Sequence, residues 1–309
     1  MANSLAQGEG HDRRSASSLY IAMRTLHAPA RPLHLAADPD KADLLRRTLQ
    51  RYRLDPGLAL HRATEMWLIR RAQPLAPLLE VGCDDGTFAQ LALDGLIDAP
   101  DRFGCDLDSR NLAAASSRYR LVLAADGARL PYREGSFRTV MANSMLAHVD
   151  DLPGCLAEFQ RVLSAGGRLF ATVPTPRFHR WFAPARALRS LGFQCAAAAV
   201  SRRYDCRWHQ QHFLDRADWE ARLSAAGLRL ESWTEYFDAR SSTVWSSWFV
   251  VWRLGLGRLT VGAVARRIFP TNAGRTRWLE NELTQRLAVH ATHSAGGGGS
   301  ALLLAVKAG

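Results

Sequence analysis

Hydrophobic and polar positions change their period several times along this chain. Over residues 19–72 apolar side chains recur near the helical period, most clearly over 43–47 and 63–69, and predict helices. Pro74 and Pro77 end that pattern. From 78 to 173 short apolar runs alternate with amphipathic segments. The runs predict strands over 78–81, 102–105, 121–124, 139–143 and 168–173, and the segments between them predict helices over 87–93, 111–118 and 152–163. Such alternation predicts an α/β fold: a parallel sheet with helices on both faces. Past Pro174 the regularity is lost, and 177–217 is rich in Arg, Ala and aromatic residues. A helix over 218–226 then leads through Gly227 into a strand over 228–236, and a last strand covers 301–307. The expected organisation is a disordered tail (1–18), an N-terminal helical extension (19–74) and a core (75–176). A cap insertion (177–217), more core (218–240), a second helical insertion (241–295) and a terminal core strand (296–309) follow. The glycine run Gly296–Gly299 is read as the loop feeding that last strand.

A chain of 309 residues, 47% hydrophobic, can bury a sizeable core. Its formal charge of +11 invites an acidic partner, yet all basic residues except Lys41 and Lys307 are arginine, as a compositional bias would give. Basic residues form no dense run with interleaved aromatics, so nucleic acid is not the expected partner. Five scattered cysteines, odd in number, have no disulfide-framework spacing and fit a reducing cytoplasmic setting. The polar first eighteen residues carry no apolar run that could serve as a signal peptide.

The most informative stretch is Leu78-Leu79-Glu80-Val81-Gly82-Cys83-Asp84-Asp85-Gly86-Thr87-Phe88-Ala89, an apolar run ending in an acid, then a glycine-punctuated turn, then a helix. Glycine lets backbone approach a ligand closely, and the first amides of a helix are free to face it. Four stations follow in order. Gly104-Cys105-Asp106 closes the second strand, with Asp106 twenty residues past Gly86. Ala125-Asp126-Gly127-Ala128-Arg129-Leu130-Pro131 follows the third strand. Ser136–Asn143 and Glu158–Leu169, the latter reading E-F-Q-R-V-L-S-A-G-G-R-L, cover the fourth and fifth. An acid at the position of Asp106 can accept both hydroxyls of a ribose. A dinucleotide-binding domain would place G-x-G-x-x-G after the first strand, whereas this chain has Gly82-x-x-x-Gly86.

These segments resemble the motifs of the class I S-adenosylmethionine-dependent methyltransferases, in particular the type 11 and ubiquinone/menaquinone-biosynthesis group, over about half the chain. The first motif of that family is written E-x-G-x-G-x-G; Glu80, Gly82 and Gly86 fit it, and Asp84 replaces the middle glycine. The resemblance implies a Rossmann-like seven-stranded sheet with helices on both faces, here with an N-terminal helical extension and helical caps. It implies S-adenosyl-L-methionine as cofactor, S-adenosyl-L-homocysteine as product, and cofactor contacts from Glu80, Gly82, Cys83, Asp84, Gly86, Asp106, Leu107, Asp126, Gly127 and Asn143. The Asp84 carboxylate, close by, could help to hold the cofactor's ammonium or sulfonium charge.

On the acceptor side, His148 follows the fourth strand near the carboxyl edge of the sheet, where ligands of open α/β folds bind. It is a candidate base; a structural histidine is the plainer reading. Trp208, His209 and His212 are candidate substrate contacts. Cys206-x-x-His209-x-x-His212 has no evident fourth ligand, so no metal is expected. The segment 244–267 sets tryptophans beside arginines; it is too short and charged to span a bilayer and fits a cap helix with a possible membrane-surface face. The expected function is methyl transfer to O or N of a small-molecule or lipid-like acceptor in biosynthesis of a secondary metabolite. An RNA or protein methyltransferase, or a binding protein that keeps the fold without the chemistry, are the alternatives. The expected location is cytoplasmic, with or without membrane association.

Overall fold

The computed structural model describes residues 39–52, 55–256, 259–268 and 297–308, with isolated positions between 277 and 284. The expected tail, the first part of the N-terminal extension, most of the second insertion past 268 and Gly296 lie outside the described residues.

Two helices precede the sheet. Helix α1 is Pro39–Arg51. Helix α2, Pro56–Arg71, starts where Asp55 accepts the Leu58 amide at 3.0 Å and Pro56 occupies the first turn, as helix starts favour. Asp55 also pairs with Arg253 at 3.1 Å. Strand β1, Leu78–Val81, is buried at all four positions, as befits a central parallel strand covered on both faces. Helix α3 (Thr87–Ala92), β2 (Arg102–Asp106), the short helix α4 (Leu112–Ala115) and β3 (Leu121–Ala124) follow. The helix expected over 111–118 is thus a single α-turn between two 3₁₀ turns. Strand β4 (Phe137–Asn143) leads to α5 (Leu152–Val162), whose first turn is closed by Asp151 accepting the Gly154 amide at 2.8 Å, and on into β5 (Leu163–Pro174).

The 177–217 insertion, left without elements by the sequence pattern, is helical: α6 (Phe178–Trp181), α7 (Ala183–Ser190) and α8 (Gln194–Trp208). Helix α9 (Arg216–Ala225) ends at Gly227 (φ +77°) and feeds β6 (Leu228–Tyr236). Helix α10 (Ala239–Arg253), a two-stranded ribbon of β7 (Gly255–Leu256) and β8 (Leu259–Thr260), α11 (Val261–Ile268) and the terminal strand β9 (Ser300–Lys307) complete the chain.

The seven-stranded sheet runs β3-β2-β1-β4-β5-β9-β6. Strands β3 to β5 are mutually parallel, and β9 is antiparallel to both β5 and β6. Leu79, Val140, Leu156, Phe159, Leu169, Trp219 and Leu303 share one buried cluster that joins the sheet to α5 and α9. Strand order reverses between β1 and β4. In doubly wound sheets the ligand crevice opens at that reversal, outside the carboxyl ends of the strands.

Candidate functional site

The loop after β1 is shaped by three left-handed residues: Gly82 (φ +80°), Asp84 (φ +45°) and Gly86 (φ +76°). A Cβ at Gly82 would stand 2.9 Å from Met145 Cβ, and one at Gly86 2.6 Å from Tyr119 Cε2. Both positions therefore require glycine for packing as well as for dihedral angle. Asp84 takes the third left-handed position, which aspartate tolerates better than most residues. Its side chain is tied outward: Asn111 Nδ2 donates to Asp84 Oδ1 at 2.5 Å. The amides of the loop and of the first helical residue are engaged within the protein. Asp84 N donates to Asp106 Oδ2 (2.8 Å), Gly86 N to Cys83 O (2.8 Å) and Thr87 N to Asp85 Oδ1 (2.8 Å).

Asp106 ends β2 with its carboxylate fixed from two sides, since Oδ1 accepts the Asp108 amide at 2.9 Å. Each oxygen keeps acceptor capacity beyond the one hydrogen bond it makes here. Next to it Leu107 is 78% exposed, an apolar side chain with nothing packed on it at the rim of the crevice. Past β3, Asp126 Oδ1 accepts the Ala128 amide at 2.9 Å, and Gly127 is buried where a Cβ would meet Met145 and Cys155. A paired-hydroxyl acceptor, an exposed apolar face and a second acid thus line the carboxyl ends of β2 and β3. They fit a ribose followed by an adenine.

Glu80 is buried at the end of β1 and receives a hydrogen bond from the Tyr119 hydroxyl. Burial pushes its carboxyl up to about 8, so it is protonated at neutral pH. Cys83 is likewise buried, and burial raises its thiol, which leaves it an inert small packing residue. Asn143 faces inward: its Oδ1 accepts from Thr172 Oγ1 at 2.8 Å and its Nδ2 donates to Glu65 Oε2 at 3.4 Å.

That last contact leads to a network the sequence pattern did not single out. Glu65, on α2, is fully buried. It accepts from Arg62 Nη1 (2.8 Å), Ser144 Oγ (2.8 Å) and Tyr236 Oη (3.1 Å), with His61 Nδ1 3.5 Å away. Burial alone would raise its carboxyl, but His61, Arg62 and the Ser144 hydroxyl hold it down at about 2. The signal was present as Arg62 and Glu65 within the otherwise apolar run of α2, a pair that burial demands be satisfied.

His148 is exposed on the loop after β4, yet its ring lies against the chain at Trp208 and His209. Partial burial holds the imidazole below its ordinary range, against the opposing pull of the two carbonyls there. The exit of the cap insertion is pinned to this loop: Gln211 N donates to Ala147 O (2.8 Å) and His212 Nε2 meets Val149 O (2.8 Å). His212 therefore serves the backbone, while His209, left-handed and exposed, and Trp208 stay at the rim. Cys206 is exposed, and no group of three or more metal-ligating side chains occurs among the described residues. Beyond the end of β5 the cap is aromatic: Phe178 lies against Tyr204, Phe213 and Trp245, and Phe249 against Tyr204, Trp208 and Trp245.

Fold and site together define a Rossmann-like α/β protein whose strand order reverses between β1 and β4, with Asp106, Leu107 and Asp126 at the carboxyl ends of the neighbouring strands. Residues 79–171 match the family model described as a methyltransferase domain. Demethylmenaquinone methyltransferase of Beutenbergia cavernae is 30% identical over 171 residues, a match spanning 52% of this chain and 66% of that protein. Among solved structures, an S-adenosylmethionine-dependent methyltransferase of Thermotoga maritima is 15% identical with a TM-score of 0.49, over 85% of this chain and 99% of that one. A second such enzyme, from Mesorhizobium loti, is 16% identical with a TM-score of 0.44, over 78% and 97%. Residues 79–171 thus carry a methyltransferase domain, and the chain spans about two thirds of the length of the curated relative it matches.

Proposed function

We propose that this protein transfers the methyl group of S-adenosylmethionine to an oxygen or nitrogen of a small-molecule or lipid-like acceptor in a biosynthetic pathway. The observation that carries the reading is the row of groups along the carboxyl edge of β1, β2 and β3. Gly82 and Gly86 let the loop after β1 pack tightly on Met145 and Tyr119, Asp106 presents a pre-oriented carboxylate, Leu107 offers an apolar face and Asp126 a second acceptor. The bound cofactor would supply an activated methyl group, and the chain's own residues orient it, exclude water and position the acceptor. His148, neutral by virtue of its lowered imidazole pKa, is the proposed proton acceptor at the crevice mouth. Trp208 and His209 border the acceptor path.

An aromatic cap suits a flat, apolar acceptor better than a polyanion. The similarity to a demethylmenaquinone methyltransferase points the same way. Among the described residues no helix is long and apolar enough to cross a membrane. Val251, Leu254, Leu259, Val261 and Val264 are each exposed, and this run of exposed apolar side chains supports membrane-surface contact through 244–267. The test is incubation with methyl-labelled S-adenosylmethionine and three acceptors: a demethylated quinol lipid, a bulk RNA and an unrelated protein. Label is expected only in the lipid extract. Label in RNA or protein, with none in the lipid, would overturn the acceptor class.

A further inference from the structure

Arg62 occupies an unusual place. It projects from α2, outside the matched methyltransferase domain, onto the point where strand order reverses. Its Nη1 donates to Ser144 Oγ at 3.2 Å, and Ser144 directly follows β4. Its guanidinium lies 5.7 Å from the ring centre of Phe88, in the first turn of α3 behind the glycine loop. Met145, next to Ser144, packs under Gly82. The charge of Arg62 acts on Glu80 and Asp84 on one side and on His148 and Tyr204 on the other. The guanidinium therefore lies against both the loop after β4 and the helix that follows the glycine loop.

Its hydrogen bonding is one-sided. Nη1 serves both Glu65 and Ser144, while Nε and Nη2 have no partner among the described residues, and the side chain is 26% exposed. Nε and Nη2 form the lateral fork of the guanidinium, the edge that matches a carboxylate with two parallel hydrogen bonds. Buried Glu65 fixes the opposite edge, so the fork is oriented before any ligand arrives. Glu80, the acid of β1, is protonated at neutral pH and takes its hydrogen bond from the Tyr119 hydroxyl.

The direction of a bound donor follows from the strand order. Ribose and adenine belong at β2 and β3, where Asp106, Leu107 and Asp126 stand. With β1 and β4 next in the sheet, the amino-acid tail must run across β1 toward β4. We infer that the free edge of Arg62 binds the α-carboxylate of the donor's amino-acid tail, making α2 part of the cofactor site. This rests on the proposed methyl-donor function and names a residue in it that the motifs do not contain. Arg62 is a positioning residue: it sets where the sulfonium sits by holding the far end of the same molecule.

The experiment compares S-adenosylhomocysteine with its carboxamide, which replaces one carboxylate oxygen by NH2 and so removes the tail's negative charge at nearly unchanged shape. Both are titrated calorimetrically into the full natural chain and into Arg62→Gln, with thermal unfolding recorded for each. The natural chain is expected to prefer the acid over the amide by about tenfold or more, a charge-assisted bidentate pair's worth. Arg62→Gln is expected to bind both alike, at the amide's level. Retention of the preference in Arg62→Gln, or no preference in the natural chain, would overturn the inference while leaving the donor reading intact. Failure of both ligands to bind the folded natural chain would instead overturn the donor reading, and the inference with it. Should Arg62→Gln not fold, Arg62→Lys keeps the charge without the fork; a preference undiminished there overturns the bidentate assignment.

Discussion

Burial costs Glu80 its charge. The carboxyl stands at about 8 in the folded protein against an ordinary 4.5, so between those values the unfolded chain binds fewer protons than the native one. Stability contributed by this group is therefore full at low pH and is lost progressively as pH rises from about 4.5 to about 8. Glu80→Gln keeps the shape and an acceptor for Tyr119 but has no proton to lose. Relative to the natural chain, that variant should gain stability on the order of a few kcal/mol between pH 5 and pH 8, read from urea unfolding across that range. A difference that stays constant with pH would refute it. Glu65 does not confound the comparison. Its carboxyl is held at about 2, so its contribution is complete above the ordinary value and fades only as pH falls toward 2. At this scale the sequence was partly legible. The spacing of Glu80, Gly82, Gly86, Asp106 and Asp126 located the loops because each stands where a strand must end. What it did not reveal is direction: Glu80, Asn143 and His212 turn toward the protein's own hydroxyls and backbone, which depends on partners 29 to 63 residues away.

Helices α2 and α10 meet at Gly57. A Cβ there would lie 2.9 Å from the Phe249 backbone nitrogen and 3.0 Å from Trp245 O, so the glycine lets two backbones approach each other. Asp55 reinforces the same contact through Arg253. Gly57→Val should therefore lower unfolding free energy by about 1–3 kcal/mol through overpacking against backbone that cannot yield. Chemical denaturation measures this directly, and a variant as stable as the natural chain would show that the crossing is looser than the geometry implies. Among the elements, the central strands were legible because parallel strands covered on both faces are short, nearly unbroken apolar runs. Helix α8 was not. Its sequence, QCAAAAVSRRYDCRW, buries only Ala197 and Ser201, so it carries no apolar stripe to announce it. The segment 111–118 looked like one helix, yet Ser116 bonds back to Ala113 O and the chain tightens into 3₁₀ turns.

At the scale of the described molecule, the proposed donor crevice lies on the sheet, with segments before and after the core contributing to its surroundings. Helix α2 brings Arg62 and Glu65 to the strand reversal. The cap packs Phe178, Tyr204 and Phe249 into one aromatic group, on the proposed acceptor side, and its exit is fastened to the loop that carries His148. The motifs announce the crevice because a nucleoside imposes the same few requirements on any such sheet. The cap announces nothing comparable, since an apolar acceptor can be enclosed by many arrangements of aromatic rings. The central claim is that this crevice holds the methyl donor with Asp106 on its ribose. Calorimetric titration of S-adenosylhomocysteine into the full chain and into Asp106→Asn tests it. One equivalent should bind the natural chain, and Asp106→Asn, equally folded, should bind about tenfold or more weakly, as loss of a charge-assisted acceptor dictates. Absence of binding to the folded natural chain, or undiminished binding to Asp106→Asn, would contradict the account.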